Sequence, residues 1–274
     1  MTPQLESTAV ASAAITDEAE VTEDLALDLP DEDGVPLESV WHRLQINLLD
    51  DCLRQHWRGR RDFLAGGNMF VYYSLEQARR RNSKGLDFFV VKGVDGTLAR
   101  RSWVVWREGG RLPDVIVELL SPSTQGEDLG AKKVLYERVF RAAEYYCYGP
   151  DPSWGMAAEL VGRGLVRGRY EALERDGRGW LWSEQLEVWL GEWEGEYHGV
   201  ASRWLRLYDP TGRLVPTAAE AAEAEAARAQ AEAEAARRRA EEERARAEAA
   251  EARSAALETE VRRLKAALES RDTE

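Results

Sequence analysis

The sequence predicts an α/β (α+β) domain with a mixed central sheet flanked by helices, followed by one long helix. Three observations carry that reading. Apolar runs with strand character alternate with two segments of helical spacing, the order expected when helices cover a sheet. One run, Asp114–Leu120, is nearly unbroken in apolarity, as a central strand buried on both faces must be. Beyond Pro216 the chain has no Gly, Pro or aromatic residue and is mainly Ala, Glu and Arg, the composition of a long helix.

The elements follow in chain order. Residues 1–36 are rich in Ala, Thr, Glu and Asp and hold no aromatic residue, so they bury too little apolar surface to offset chain entropy and are expected to be disordered. From Glu38 to Trp57, apolar residues such as Trp41, Leu44, Leu48 and Leu49 recur at three- and four-residue steps, which predicts a helix. Met69–Tyr73, Asp87–Val91 and Trp103–Trp106 read as strands, the second closed by Gly93 and the Asp95-Gly96 turn signal. Asp128–Phe140 reads as a second helix, with Leu129, Val134, Leu135, Val139 and Phe140 as its apolar face. Glu144–Tyr148 is a further strand, and Ala157–Tyr208 reads as antiparallel hairpins separated by Gly turns.

The tail over residues 217–270 carries a heptad pattern. Leu257, Val261, Leu264 and Leu268 are spaced as d, a, d, a, and the same register runs upstream through alanines to Ala219, broken only by Ser254 and Glu243. A strict seven-residue repeat predicts a supercoiled pair of helices, and hence a homodimer through a C-terminal coiled coil. A single solvated helix held by Glu–Arg pairs is the other reading of the same composition.

Charge narrows the function classes. The formal net charge is −13, which taken whole argues against a polyanion as partner. The acidity belongs to the ends, however. Residues 1–38 hold eleven acids and no Lys or Arg, and residues 217–274 hold fifteen acids against eleven bases. The body between them, where all ten Trp lie, is slightly positive and free to accept a nucleic acid. No apolar run approaches the ~20 residues that span a bilayer, and no basic segment followed by an apolar one opens the chain. Two Cys and three His give neither a disulfide framework nor a zinc cluster, so a cytoplasmic location is expected.

Buried charge points to the chemistry. Glu118 interrupts the run Val-Ile-Val-x-Leu-Leu, where a carboxylate is costly unless paired or bound to a metal. Asp87 opens the apolar strand Phe88–Val91. Two carboxylates on neighbouring strands suit Mg²⁺, which takes one or two protein carboxylates plus water and phosphate. Lys132 and Lys133 follow on the next helix, where an ammonium can orient a metal-bound water or offset charge on a phosphate. Asp114 lies four residues before Glu118 on the same strand face and is the next candidate ligand. The alternative is structural: Asp87 and Asp114 at strand edges in water, and Glu118 in an ion pair with Lys132.

The stretch from Pro113 to Thr124 (PDVIVELLSPST), then Asp128-Leu-x-x-Lys132-x-x-x-Tyr136 and Glu144-Tyr-Tyr, resembles the Uma2 (DUF820) family, itself similar to PD-(D/E)XK restriction endonucleases. Leu37-Glu-x-x-x-His42, Gly66-x-x-x-x-Val-Tyr-Tyr73 and Leu86-Asp-Phe-Phe-Val-Val91 extend the likeness over residues 37–215. The resemblance implies a restriction endonuclease-like fold that hydrolyses DNA phosphodiesters with Mg²⁺ (or Mn²⁺). Asp87 and Glu118 would be the metal-holding acids, and Lys132 would replace the lysine that such nucleases carry two residues after the acid, where this chain has Leu120. It also makes Glu38 and His42, one turn apart on the first helix, secondary candidates. Gly149 stands where many relatives carry Asp. The missing lysine and the net negative charge leave a second reading open, an inactive nuclease fold that recruits partners through its coiled coil.

Overall fold

The computed structural model describes residues 29–31, 39–80, 84–122, 124–149 and 159–271. The chain divides into two compact units, one ending at Ala218 and the other beginning at Ala219. Glu38 and almost all of the expected acidic disordered segment lie outside the described residues.

The first unit opens with α1 (Val40–His56), begun by Ser39, whose hydroxyl accepts from the His42 amide at 3.1 Å. Then come β1 (Phe63–Tyr72), the short α2 (Leu75–Arg79), β2 (Lys84–Lys92) and β3 (Trp103–Val104). The run expected as a strand through Trp106 is pairing-competent for only two residues. Val105–Glu108 instead coil into a tight helical turn closed by Gly109 at φ 64°. β4 (Val115–Leu119) leads into α3 (residues 125–140), and β5 (Glu144–Tyr148), β6 (Leu160–Val166) and β7 (Arg169–Ala172) complete the main sheet. β8 (Leu181–Ser183), β9 (Val188–Tyr197) and β10 (Val200–Tyr208) form a second, antiparallel sheet.

The main sheet has seven strands in the order β3-β1-β2-β4-β5-β6-β7, with β1–β3 and β4–β5 parallel and the other pairs antiparallel. Its middle strand is β4, and every β4 residue is buried, as its unbroken apolarity requires. The alternation of side chains along each strand then builds two cores. On one face Phe88, Val90, Val115 and Val117 pack with α1 and the second sheet. On the other, Phe89, Val91, Ile116 and Leu120 pack with Tyr136 and Phe140 of α3.

α1 also closes an open sheet edge. The Gln45 amide is fully buried and bonds both the Leu205 carbonyl (3.0 Å) and its amide (2.8 Å) on β10, taking the place of a neighbouring strand.

α3 differs from its expected packing. Leu129, Val134 and Val139, expected on its apolar face, are 40%, 46% and 46% exposed. The residues turned inward are Asp128, Tyr136 and Phe140, with Lys132 between them. The reason is geometric. Asp128–Lys132 and Tyr136–Phe140 adopt widened five-residue turns, so positions four apart stack more nearly in line than in an ordinary α-helix. The inward face therefore joins the polar series 128, 132, 136 to Phe140 and the partly buried Leu135 of the expected apolar face.

At the end of β4 the sheet is tight. A Cβ added to Gly149 would fall 2.6 Å from the Leu120 Cβ and 3.2 Å from its carbonyl oxygen. No rotamer of Leu120 relieves a contact with its own Cβ and backbone. Gly149→Ala should therefore lower the unfolding free energy by about 1–3 kcal/mol in urea titrations, the usual cost of overpacking. The same crowding accounts for the glycine at this position: an aspartate there requires β4 and β5 to part.

The second unit is α4 (Ala218–Arg271), one helix of 54 residues. Among the described residues no helix is long and apolar enough to cross a membrane.

Candidate active site

The pairing of Phe88 with Val117 sets the next step of the antiparallel register, Asp87 opposite Glu118. Directly opposed residues share a sheet face with Cβ atoms about 5 Å apart, and like charges in that relation repel. The structure resolves the repulsion with side chains from two other elements, α1 and α3, and with a backbone amide of β4 itself.

Glu118, with no exposure, accepts from the Tyr136 hydroxyl at 2.6 Å through Oε1 and from the Lys132 ammonium at 3.2 Å through Oε2. Lys132 also pairs with Asp128 at 2.8 Å, one helical turn away. Asp87 accepts from the Leu119 amide at 2.7 Å through Oδ2, and its Oδ1 stands 3.0 Å from Nε2 of His42 on α1. The Asp87 and Lys132 side chains keep 20% and 15% of their exposure, whereas those of His42, Asp128 and Glu118 keep 5% or less. Solvent thus reaches the cluster at Asp87 and Lys132.

The electrostatics follow from three acids gathered around one lysine. Burial pushes the Glu118 carboxyl well above the usual range, and the charges of Asp87 and Asp128 push the same way; Lys132 and the Tyr136 bond oppose them without prevailing. Burial also raises Asp128, against the pull of Lys132. Asp87 goes the other way. Its burial is outweighed by the bond and charge of His42, the charge of Lys132 and the Leu119 amide, which together hold it below the usual carboxylate range. Burial lowers the affinity of Lys132 for its proton, but Glu118, Asp128 and Asp87 more than restore it. Lys132 is therefore a fixed cation, not a base. Tyr136 is likewise held as the protonated donor, by burial and by the adjacent Glu118 charge.

The donor set suits a hard divalent ion. Asp87 and Glu118 offer oxygen donors, the β2–β4 register carried one step further sets them opposite each other, and the acids outnumber the cationic side chains that offset them. Among the described residues no three His, Cys, Asp or Glu side chains form a ready-made metal cage. Mg²⁺ does not need one, since it keeps several waters and binds through one or two carboxylates.

Of the residues singled out in the sequence, Asp87, Glu118, Lys132 and His42 converge here. Asp114 does not: it sits at the opposite end of β4, about 13 Å along the strand, where its Oδ2 accepts from the Lys92 amide at 2.7 Å. His42, a secondary candidate in the sequence, is 4% exposed and lies beside Asp87.

Comparison with known families agrees with this architecture. The model of the Uma2 family, described as "Putative restriction endonuclease", matches residues 21–199, more than half of the chain. The chain belongs to the Uma2 family. No curated protein matches it. Uma2 membership supports a nuclease-type function in general, and the mixed sheet flanked by helices agrees with a restriction endonuclease-like fold.

Two members of this Uma2 site carry no role in the sequence reading, Asp128 and Tyr136. Their signal is present in the motif Asp128-x-x-x-Lys132-x-x-x-Tyr136, three polar residues at four-residue steps and so on one helix face. Competing aliphatic residues at 129, 134, 135 and 139 hide it, because periodicity favours the apolar face as the buried one.

Proposed function

We propose that the protein is a Mg²⁺-dependent (or Mn²⁺-dependent) endonuclease that hydrolyses DNA phosphodiester bonds. The observation that supports this most is the convergence of Asp87, Glu118 and Lys132, from three separate elements, on one partly open end of the central sheet. Asp87 and Glu118 would hold the ion. When bound, it would polarise the phosphate and lower the pKa of the attacking water. Tyr136 fixes one oxygen of Glu118 and so sets the direction in which the other is offered. Lys132, always charged and partly exposed, offsets negative charge developing on the phosphate. His42 and the Leu119 amide keep Asp87 ionised and oriented. The slightly positive body suits a DNA partner, and the heptads of the tail suit a homodimer.

A second reading, an inactive nuclease fold that recruits partners through the coiled coil, is favoured by one observation. Both carboxylates already have protein partners, and Leu120, 3% exposed in an apolar cluster, occupies the position of the usual lysine. Nicking of supercoiled plasmid with Mg²⁺ or Mn²⁺ separates the two. The nuclease reading expects activity that falls at least 10³-fold in Glu118→Ala, on the order of the loss when a charge-stabilising group is removed. Equal activity from both proteins, or none from either, sinks it.

A further inference from the structure

α4 exposes a row of large apolar side chains. Leu257, Val261 and Leu264 are 62%, 49% and 55% exposed, at four- and three-residue steps along one face of the helix. Upstream the same face is lined by alanines from Ala219 to Ala250, interrupted at Glu243, and their small side chains let a second backbone approach closely.

We infer that this stripe is the seam of a parallel, in-register coiled coil with a second copy of the chain. The inference rests on the dimer reading above and adds its orientation, which the flanking charges decide. With Val261 at position a and Leu264 at d, the e positions are Glu223, Gln230, Arg237, Arg244, Glu251, Glu258 and Lys265. The g positions are Glu225, Glu232, Arg239, Arg246, Arg253 and Glu260. In a parallel pair each g residue meets the e residue five positions later on the partner. Glu232 then meets Arg237, Arg246 meets Glu251, Arg253 meets Glu258, and Glu260 meets Lys265. Of these flanking pairs only Arg239 against Arg244 repels and Glu225 against Gln230 is neutral; within the seam Glu243 meets its own copy, one repulsion against the four attractive pairs on each flank.

An antiparallel pair instead brings g to g and e to e. Around the middle of the tail those residues are Arg239 and Arg246 on one side and Arg237 and Arg244 on the other, so like charges meet on both flanks. The two chains therefore enter the coil from the same end.

The test uses the full-length chain with one added cysteine, either Ala229→Cys at a d position or Ser254→Cys at an a position. The native Cys52 and Cys147 are buried and do not compete. The two variants are mixed, equilibrated, oxidised and read by mass spectrometry. The parallel register expects disulfides only between like variants, since positions 229 and 254 then lie about 38 Å apart along the axis. An antiparallel pair with a facing d sets 229 against 254 and yields the mixed disulfide, which overturns the orientation. No disulfide from a chain that sediments as a dimer overturns it too. A chain that sediments as a monomer at tens of micromolar overturns the dimer reading itself.

Discussion

Lys132→Ala should destabilise the folded protein by about 3–5 kcal/mol, the usual cost of stripping one partner from a buried ion pair. Lys132 contacts Glu118 and Asp128 directly and its charge acts on Asp87 as well, so the substitution leaves three carboxylates facing one another with no nearby ammonium. Two of them are almost without solvent, which removes the screening that makes surface pairs weak. Urea unfolding of the two proteins measures the difference. The cause can be isolated in the same experiment. Adding Glu118→Gln to Lys132→Ala removes the most deeply buried of the three charges, so the double variant should be more stable than Lys132→Ala alone. Such a non-additive pair is what a shared network produces. A loss below about 1 kcal/mol, or strict additivity, would show that Lys132 does not hold the acids together.

That dependence on a helix-borne lysine also marks what the sequence can and cannot disclose. β4 was readable because a strand buried on both faces has no polar alternation to confuse it, and Glu118 stood out as the one charge in it. α1 was readable because one apolar stripe met one core. The long α4 was readable from composition alone. What escaped depends on geometry that periodicity does not encode. The widened turns of α3 rotate Asp128 and Tyr136 inward and leave Leu129, Val134 and Val139 at the surface. The turn after Val104 overrides the strand preference of the Trp-Val-Val-Trp run. His42 was ambiguous because a histidine near a helix start is equally at home in water or in a cluster. Only the packing of α1 against β2 sets it beside Asp87.

The proposed role of Asp87 can be separated from a structural one by an isosteric change. In the resting protein Asp87 does two structural things: it accepts from the Leu119 amide and it faces His42. An asparagine does both nearly as well. Its carbonyl oxygen accepts from Leu119, and its amide group donates to Nε2 of His42 in the tautomer that carries its proton on Nδ1. Asp87→Asn should therefore change the unfolding free energy by less than about 1 kcal/mol, one neutral hydrogen bond's worth. What asparagine cannot supply is the negative charge of a Mg²⁺ ligand beside Glu118. Plasmid nicking should accordingly fall by about 10³-fold, and titration calorimetry with Mn²⁺ should show weaker binding, on the order of 10–100-fold. Asp87→Ala is the contrasting variant. It leaves the Leu119 amide without its acceptor and takes the carboxylate away from the buried His42, and should lose about 1–3 kcal/mol of stability as well. If Asp87→Asn cleaves DNA as fast as the parent, or binds Mn²⁺ as tightly, Asp87 is a strap between α1 and β4 and no part of a metal centre.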